Sequence, residues 1–164
     1  MNIYLLGMMG SGKSTVGRSL SQYMDKPFID LDLEIEQSVG KTISEIFEND
    51  GEKYFRDIES NQLYQYSDSV VACGGGIILN EGNRTFIKKN GKAILLTASI
   101  AELSERLSTS EDRPLLPKNN MEETLTVLWL DRQLRYLNTA EFTIETDGKT
   151  PEKITQEILN QLDP

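Results

Sequence analysis

The sequence predicts an α/β domain in which a parallel β-sheet is covered by helices. Short apolar runs alternate with longer segments that carry apolar residues at helical spacing, which is typical of this class. The runs are almost continuously apolar, as expected of strands buried on both faces. With 164 residues, the chain is long enough for an ordinary hydrophobic core, so we expect a single domain over 1–164.

Five apolar runs are strand candidates, at residues 3–6, 27–31, 69–73, 93–97 and 142–145. Helix starts are marked by two pairs that fit a capping box, Thr42 with Glu45 and Ser99 with Glu102. A further helix is expected over 151–162, where a threonine precedes a proline at the first helical position.

The composition excludes several kinds of active site. There is no histidine, and Cys73 is the single cysteine, so disulfide frameworks, Cys/His metal clusters and an imidazole base are all excluded. An enzyme of this composition must work with carboxylates, cations and backbone groups. Cys73 itself is expected to end a buried strand and to have no catalytic role.

The net charge of −9, from 17 basic and 26 acidic residues, argues against nucleic acid and anionic membranes as partners. The N-terminus lacks the basic region of a signal peptide, and no run is long enough for a membrane span. We therefore expect a soluble cytoplasmic protein in which local cations hold any anionic ligand.

The strongest motif is "GMMGSGKST" at residues 7–15, which matches the phosphate-loop pattern G-x-x-x-x-G-K-[ST] in full. It follows an apolar run and precedes a helical pattern, which is the context that this motif requires. Its glycines let backbone N–H groups point at phosphate, while Lys13 would reach the β- and γ-phosphates and Ser14 would ligate Mg²⁺. The loop residues expected to bind nucleotide are Gly10, Ser11, Gly12, Lys13, Ser14 and Thr15.

A phosphate loop alone is compatible with a kinase, a GTPase, an ATPase motor or a nucleotide-binding module. No N-K-x-D motif and no apolar run ending in an Asp-Glu pair is present, which weakens the GTPase and motor interpretations. The polar segment 108–120 is either a surface loop or a mobile lid that excludes water. Together with the small size of the chain, it favours a small-molecule kinase.

A second motif is "FIDLDLEIE" at residues 28–36, in which Asp30 and Asp32 lie where the second strand candidate ends. Ligands bind at this edge of a parallel sheet. If both residues are extended, their carboxylates point the same way and favour a bound cation. The alternative is that Asp32 only caps the following helix.

Two further features are ambiguous on their own. Arg56, in the helical stretch "EKYFRDIES", could be an ordinary solvated or ion-paired surface arginine. The glycine run Gly74–Gly76 in "VVACGGGIIL" indicates either a sharp turn or a close approach to another group, and a second phosphate cradle is the first interpretation.

Taken together, these stretches resemble the shikimate kinase family. "GMMGSGKST", "FIDLDLEIE", "EKYFRDIES", "VVACGGGIIL", "DRPLL" and "DRQLRYLNTAEFTIET" occur in the family's order over essentially the whole chain. The resemblance implies a nucleoside-monophosphate-kinase-like three-layer fold whose five-stranded parallel sheet has the order 2-3-1-4-5. It also implies MgATP-dependent phosphorylation of the 3-hydroxyl of shikimate, on the route to chorismate and the aromatic amino acids.

The resemblance assigns the acceptor site to residues from several parts of the chain. Asp32 matches the carboxylate that orients the ring hydroxyls and can accept the proton. Arg56 and Arg132 match the arginines that clamp the substrate carboxylate. Gly75 matches a backbone donor to a substrate hydroxyl, with Gly74 and Gly76 beside it in the floor of the acceptor pocket. The substrate-binding region is expected at about 32–61.

The nucleotide side is assigned in the same way. Asp30 matches the residue near magnesium, which it would reach through water, while Ser14 would bind the ion directly. Arg113 in "DRPLL" matches an arginine of the lid, expected at 108–120, that reaches over the transferred phosphoryl group. Arg106 matches the residue that packs on the adenine, and the loop around residues 147–151, which includes Pro151, is expected to form the other wall of that pocket.

The chain departs from the family pattern at one point. The usual R-x-P-L-Y is "RQLRY" here, so Arg135 competes with Arg132 for the second clamp position, although Arg132 keeps its spacing to Tyr136. Two other functions stay open, a related kinase for another polyol acid such as gluconate and a catalytically silent nucleotide-binding protein. A monomer is expected, because no long apolar stretch is evidently exposed.

Overall fold

The structure is a computed structural model that describes residues 1–109 and 120–162. Arg113 and most of the predicted 108–120 lid lie outside the described residues. The strands are β1 (Asn2–Leu6), β2 (Phe28–Asp30), β3 (Val70–Ala72), β4 (Gly91–Thr97) and β5 (Phe142–Glu145). The helices are α1 (Lys13–Met24), α2 (Leu31–Val39), α3 (Ile43–Asn49), α4 (Gly51–Leu63), α5 (Glu81–Asn90), α6 (Ile100–Ser108), α7 (Met121–Thr139) and α8 (Pro151–Leu162), and a 3-10 turn spans Ile77–Leu79.

All five strands pair in parallel in the order β2-β3-β1-β4-β5, which confirms the predicted sheet. The ends of four strands differ from the prediction. The second strand was expected to reach Leu31, but it stops at Asp30 because Leu31 already begins α2. The fourth strand starts at Gly91, earlier than predicted, because Asn2 at the start of β1 pairs with Gly91.

Alternate residues of β1 pack into opposite layers of the core, as its apolar run predicts. Tyr4 and Leu6 belong to a cluster that includes apolar residues of α5, α6 and α7. Ile3 and Leu5 belong to a cluster with residues of α1 and α8. The sheet is therefore covered on both faces, and its ligand-binding edge is the one where the strands end.

The helix caps explain where several elements start. Thr42 and Glu45 form the predicted capping box of α3, and the Thr150 hydroxyl accepts from the Lys153 N–H at the start of α8. No helix of the described part of the chain is long and apolar enough to cross a membrane.

The Ser99 pair forms only half of the predicted box. Ser99 accepts from the Glu102 N–H, but its own N–H donates to the carboxylate of Asp147, with 3.0 and 3.1 Å to the two oxygens. The Asp147 contact takes the place of the reciprocal glutamate bond and ties the start of α6 to the loop after β5.

Candidate active site

The phosphate loop, residues 7–12, connects β1 to α1 at the carboxyl edge of the sheet. Its three glycines, Gly7, Gly10 and Gly12, have φ angles of 146°, 81° and 92°. Residues with a Cβ rarely adopt such angles, so the loop follows a path that glycine takes without strain. The glycine positions of the motif are therefore the positions at which the loop backbone requires a positive φ.

Lys13 lies across this loop and is largely buried. Its ammonium group donates to the carbonyl oxygens of Gly7 and Met8, both at 2.9 Å. The hydroxyl of Ser11 is buried and has no hydrogen-bond partner within the described residues. These groups place a cation and an available hydroxyl where backbone N–H groups would receive phosphate.

Ser14 and Asp30 meet at the wall of the same cavity, where the Ser14 hydroxyl donates to Asp30 Oδ2 at 2.6 Å. Hydroxyl and carboxylate oxygens suit a hard cation such as Mg²⁺. Among the residues that the structure describes, no group of three or more His, Cys, Asp or Glu side chains could hold a metal ion. A magnesium ion at this point would therefore complete its coordination with phosphate oxygens and water.

Asp32 lies on α2 and not on β2. The two carboxylates of Asp30 and Asp32 are therefore not arranged as neighbours on one face of an extended strand. Asp32 stands in the first turn of α2, and Asp30 takes the N-cap position without a side-chain cap bond. The carboxylate of Asp32 faces the glycine run, since a Cβ built on Gly74 would lie 3.0 Å from its Oδ1. This position in the cavity wall favours a role in ligand binding over helix capping alone.

A cavity of about 310 Å³ joins these groups at the carboxyl edge of the sheet. It runs from the phosphate loop to the glycine run. Its lining residues are Gly10, Gly12, Lys13, Ser14, Thr15, Asp30, Asp32, Ala72, Cys73, Gly75, Arg106 and Leu107. Cys73 is buried as expected, and burial raises the pKa of its thiol well above the ordinary range.

Arg106 bridges the phosphate loop and the segment after β5. Its guanidinium donates to the carbonyl of Gly10 at 3.2 Å, to the hydroxyl and carbonyl of Thr146 at 3.0 and 3.2 Å, and to Glu102 at 2.9 Å. Pro151 begins α8 just beyond that segment. Arg106, one of the two residues predicted to line the adenine pocket, is thus bonded to the loop that would hold the phosphates.

A second group of side chains surrounds the glycine run and includes Arg56 on α4, which is no ordinary surface arginine. Its Nη1 donates to Glu59 at 2.7 Å, and its Nη2 lies 3.5 Å from Glu52. Glu59 is 1% exposed, and burial raises the pKa of its carboxyl although the charge of Arg56 partly offsets the rise. Burying the Glu59 carboxylate costs desolvation free energy, and its ion pair with Arg56 holds the guanidinium in place.

The glycine run is shaped by crowding and not by special backbone angles. None of Gly74, Gly75 and Gly76 has a positive φ. A Cβ on Gly74 would lie 2.6 Å from Glu59 Oε1, and a Cβ on Gly76 would collide with the guanidinium of Arg56. Both expectations for this run are confirmed. Gly74 O accepts from the Ile77 N–H in a tight turn, and the side chains of Glu59 and Arg56 approach the glycines closely.

Helix α7 supplies Arg132, whose Nη1 lies 3.4 Å from the carbonyl oxygen of Gly75. Arg135, its competitor in the sequence, is 42% exposed at the side chain and pairs with Asp131 at 3.6 Å. Tyr136 is fully buried, and its hydroxyl donates to the Gly75 carbonyl. The helix therefore turns Arg132 toward the glycine run and Arg135 toward solvent.

Two buried N–H donors near the glycine run have no hydrogen-bond partner within the described residues. The Nε atoms of Arg56 and Arg132 are buried and have no hydrogen-bond partner among the described residues, and the same holds for Glu59 Oε1. A buried donor without a partner costs roughly 1 to 3 kcal/mol, which an anionic ligand would recover.

Sequence reasoning did not select Glu59 or Tyr136 as functional residues. Glu59 has one usable signal, because a glutamate three positions after an arginine can pair with it on a helix. No signal in the sequence shows that Glu59 is buried, since that depends on how α4 packs against the glycine run.

The family model of shikimate kinase matches residues 9–163 of this chain. A shikimate kinase of Persephonella marina is 41% identical over 164 residues, covering 98% of each protein. A shikimate kinase of Rippkaea orientalis is 44% identical over 167 residues, with 99% of this chain and 88% of the relative covered.

Among solved structures, a shikimate kinase from Acinetobacter baumannii in complex with shikimate superposes with a TM-score of 0.93 at 38% identity, covering 98% of this chain and 92% of that one. A gluconokinase from Sinorhizobium meliloti superposes with a TM-score of 0.56 at 18% identity over 98% and 90% of the two chains, a likeness of fold alone. With a family match over most of its length and relatives similar from end to end, this chain belongs to the shikimate kinase family.

Proposed function

We propose that this protein transfers the γ-phosphoryl group of ATP to the 3-hydroxyl of shikimate, giving shikimate 3-phosphate and ADP. The observation that carries the proposal is the pair of buried arginine Nε donors without acceptors, Arg56 and Arg132, next to the glycine run. Arg56 lies against Gly76, and Arg132 lies near Gly75. A small acceptor with a carboxylate at one end and hydroxyls toward the ATP would satisfy both.

On the nucleotide side, the phosphate loop and Lys13 would hold the β- and γ-phosphates, and Arg106 with Pro151 would flank the adenine. Ser14 would bind Mg²⁺ directly and Asp30 would act through water. Magnesium, when bound, neutralises phosphate charge. Arg113, carried over from the family pattern, would neutralise charge on the transferred group.

On the acceptor side, Arg56 and Arg132 would clamp the shikimate carboxylate, and the backbone of the glycine run would meet the ring hydroxyls. Asp32 would orient the reacting hydroxyl. Phosphoryl transfer passes through a loose transition state in which the hydroxyl proton leaves late, so positioning contributes more than deprotonation. This explains how a site without histidine can perform the reaction.

An acceptor panel tests the proposal. Purified protein with MgATP is offered shikimate, quinate, gluconate and nucleoside monophosphates, and the products are identified by mass. We expect phosphorylation of shikimate at a kcat/KM at least about 100-fold above that of the other acceptors. Turnover of gluconate without shikimate would favour the related polyol-acid kinase, and ATP binding without any transfer would favour the silent nucleotide-binding protein.

We further propose that the protein acts as a cytoplasmic monomer. Contrary to the sequence expectation, α7 carries a row of exposed apolar side chains, at Val127, Leu130, Leu134 and Leu137. A stable interface takes roughly 20 to 30 residues from each partner, far more than these four. Light scattering at micromolar concentration should give the mass of one chain.

A further inference from the structure

The hydroxyl of Tyr136 is a buried polar group that the proposed reaction does not use. It donates to the carbonyl oxygen of Gly75. Arg132, one turn earlier on the same helix, directs Nη1 at the same oxygen from 3.4 Å. Two donors from α7 therefore converge on one backbone carbonyl of the glycine run.

The Gly75 carbonyl differs from the carbonyls on either side of it. Gly74 O accepts from the Ile77 N–H at 3.1 Å, and Gly76 O accepts from the Leu79 N–H at 3.0 Å, so both are held by local turn bonds. Within the described part of the chain, the donors to Gly75 O come only from α7. Glycine has more backbone freedom than any other residue, so this peptide needs an external anchor to keep one orientation.

The anchor also fixes a donor. The C=O of Gly75 and the N–H of Gly76 belong to one planar peptide unit and point in opposite directions. Holding the oxygen toward α7 therefore sets the direction of the N–H and limits the rotation of the neighbouring Gly75 N–H. These N–H groups are the ones that the proposed function brings to the acceptor's hydroxyls.

We propose that Tyr136 is a positioning residue for the acceptor: its hydroxyl holds the central peptide of the glycine run so that the backbone donors meet the hydroxyls of shikimate. The inference rests on the proposed function. It assigns no chemical step to the tyrosine, which acts only through the Gly75 carbonyl.

The surroundings of Tyr136 suit this role. The residue is 0% exposed, and its ring stacks against Trp129 with centroids 6.2 Å apart. Burial raises the pKa of the phenol to about 12, although the nearby charge of Arg132 acts in the opposite direction. The hydroxyl therefore keeps its proton, and remains a donor, throughout the pH range in which a kinase is assayed.

The test is Tyr136→Phe, which keeps the ring and removes only the hydroxyl. We expect the KM for shikimate to rise about 5- to 10-fold while the KM for ATP stays within twofold of wild type. Tyr4→Phe is the matched control. Tyr4 is also fully buried, but it lies on β1, and its hydroxyl accepts from Asn2 Nδ2 at 2.7 Å and is not bonded to the Gly75 peptide.

Substrate analogues give a second readout that a merely structural residue would not move. Wild type should lose affinity for at least one shikimate analogue that lacks one of the two non-reacting hydroxyls. In Tyr136→Phe that loss should shrink, because the misaligned donor no longer distinguishes the analogue from shikimate.

Three results would overturn the inference while leaving the function intact: an unchanged KM for shikimate in Tyr136→Phe, an equal rise in both KM values, or the same kinetic change in Tyr4→Phe. A lower melting temperature in both variants with a shikimate-specific effect in Tyr136→Phe alone supports it. Failure of the wild-type protein to phosphorylate shikimate would instead refute the proposed function, so the two failures are distinguishable.

Discussion

The phosphate loop and the acceptor side of the cavity use glycine for opposite reasons. In the phosphate loop, Gly12 has a φ of 92°, and a Cβ there would meet only Val16 Cγ2, at 3.9 Å. In the glycine run, Gly76 has an ordinary φ of −97°, but a Cβ would collide with Arg56. The phosphate loop needs glycine for its backbone angle. The glycine run needs glycine because the neighbouring side chains leave no room for a Cβ. The first requirement is a local property of a short sequence, whereas the second depends on what α4 and α7 bring to the site.

The largest effect is expected in the nucleotide half. Lys13→Met removes the cation that would neutralise the transferred phosphates, so kcat should fall by about 100- to 1,000-fold. The ammonium group also bonds to Gly7 and Met8, and its loss should loosen the loop. Steady-state kinetics with both substrates measures the change. A kcat within tenfold of wild type would show that Lys13 is not at the phosphoryl group.

The next effect tests which arginine of α7 belongs to the acceptor half. Arg132→Ala should raise the KM for shikimate about 30-fold or more, since a charged clamp contributes about 2 kcal/mol or more where it is desolvated. Arg135→Ala is the matched control on the same helix and should change the KM less than twofold, because its exposed pair with Asp131 contributes little. The opposite result would assign the clamp to Arg135.

The two uses of glycine can be separated directly. Gly76→Ala should displace Arg56 and raise the KM for shikimate by about tenfold, with little effect on ATP. Gly12→Ala should raise the KM for ATP severalfold, because an L-residue at that φ costs about 1 to 2 kcal/mol. If each variant altered both KM values equally, the two halves of the site would not be independent.

The smallest effect concerns Glu59, the buried partner of Arg56. Glu59→Gln removes the ionic anchor, so the KM for shikimate should rise a few-fold at neutral pH.

The same substitution also tests the pKa of Glu59, through the difference in unfolding free energy between wild type and Glu59→Gln at different pH values. Because the pKa of Glu59 is raised above its ordinary 4.5, the folded state binds the proton more tightly than the unfolded state. The contribution of Glu59 is therefore fully present below pH 4.5 and is lost as the pH rises through the raised pKa. Relative to Glu59→Gln, wild type should lose unfolding free energy between pH 4 and pH 7 in urea titrations. A constant difference would show that the pKa is not raised.

The sheet and the backbone geometry of the phosphate loop were predictable from the sequence because their signals are local. Apolar runs marked every strand, and the phosphate-loop motif placed Lys13 and Ser14 together with their backbone. The strand ends were less certain, since Leu31 fits a strand by composition but begins α2 to bring Asp32 into the cavity wall.

The arrangement of side chains around the glycine run was predicted only through the family resemblance, and part of it was not predicted at all. Arg56 alone looks like a surface residue, and its position against Gly76 arises only when α4 packs beside the 3-10 turn. The burial of Glu59 and the bond from Tyr136 to Gly75 are long-range contacts that no spacing rule encodes. The choice between Arg132 and Arg135 likewise depends on which face of α7 meets the core.

Trp129 is the only tryptophan of the chain, and its location makes it a natural optical probe. One side stacks on the Tyr136 ring, and the indole also lines a second cavity of about 190 Å³ with Met8 of the phosphate loop. We therefore expect its emission to respond to ligands near the phosphate loop through Met8 and to ligands near the glycine run through Tyr136. Titrations of unlabelled protein with each substrate can follow the order in which the halves fill, without an introduced fluorophore.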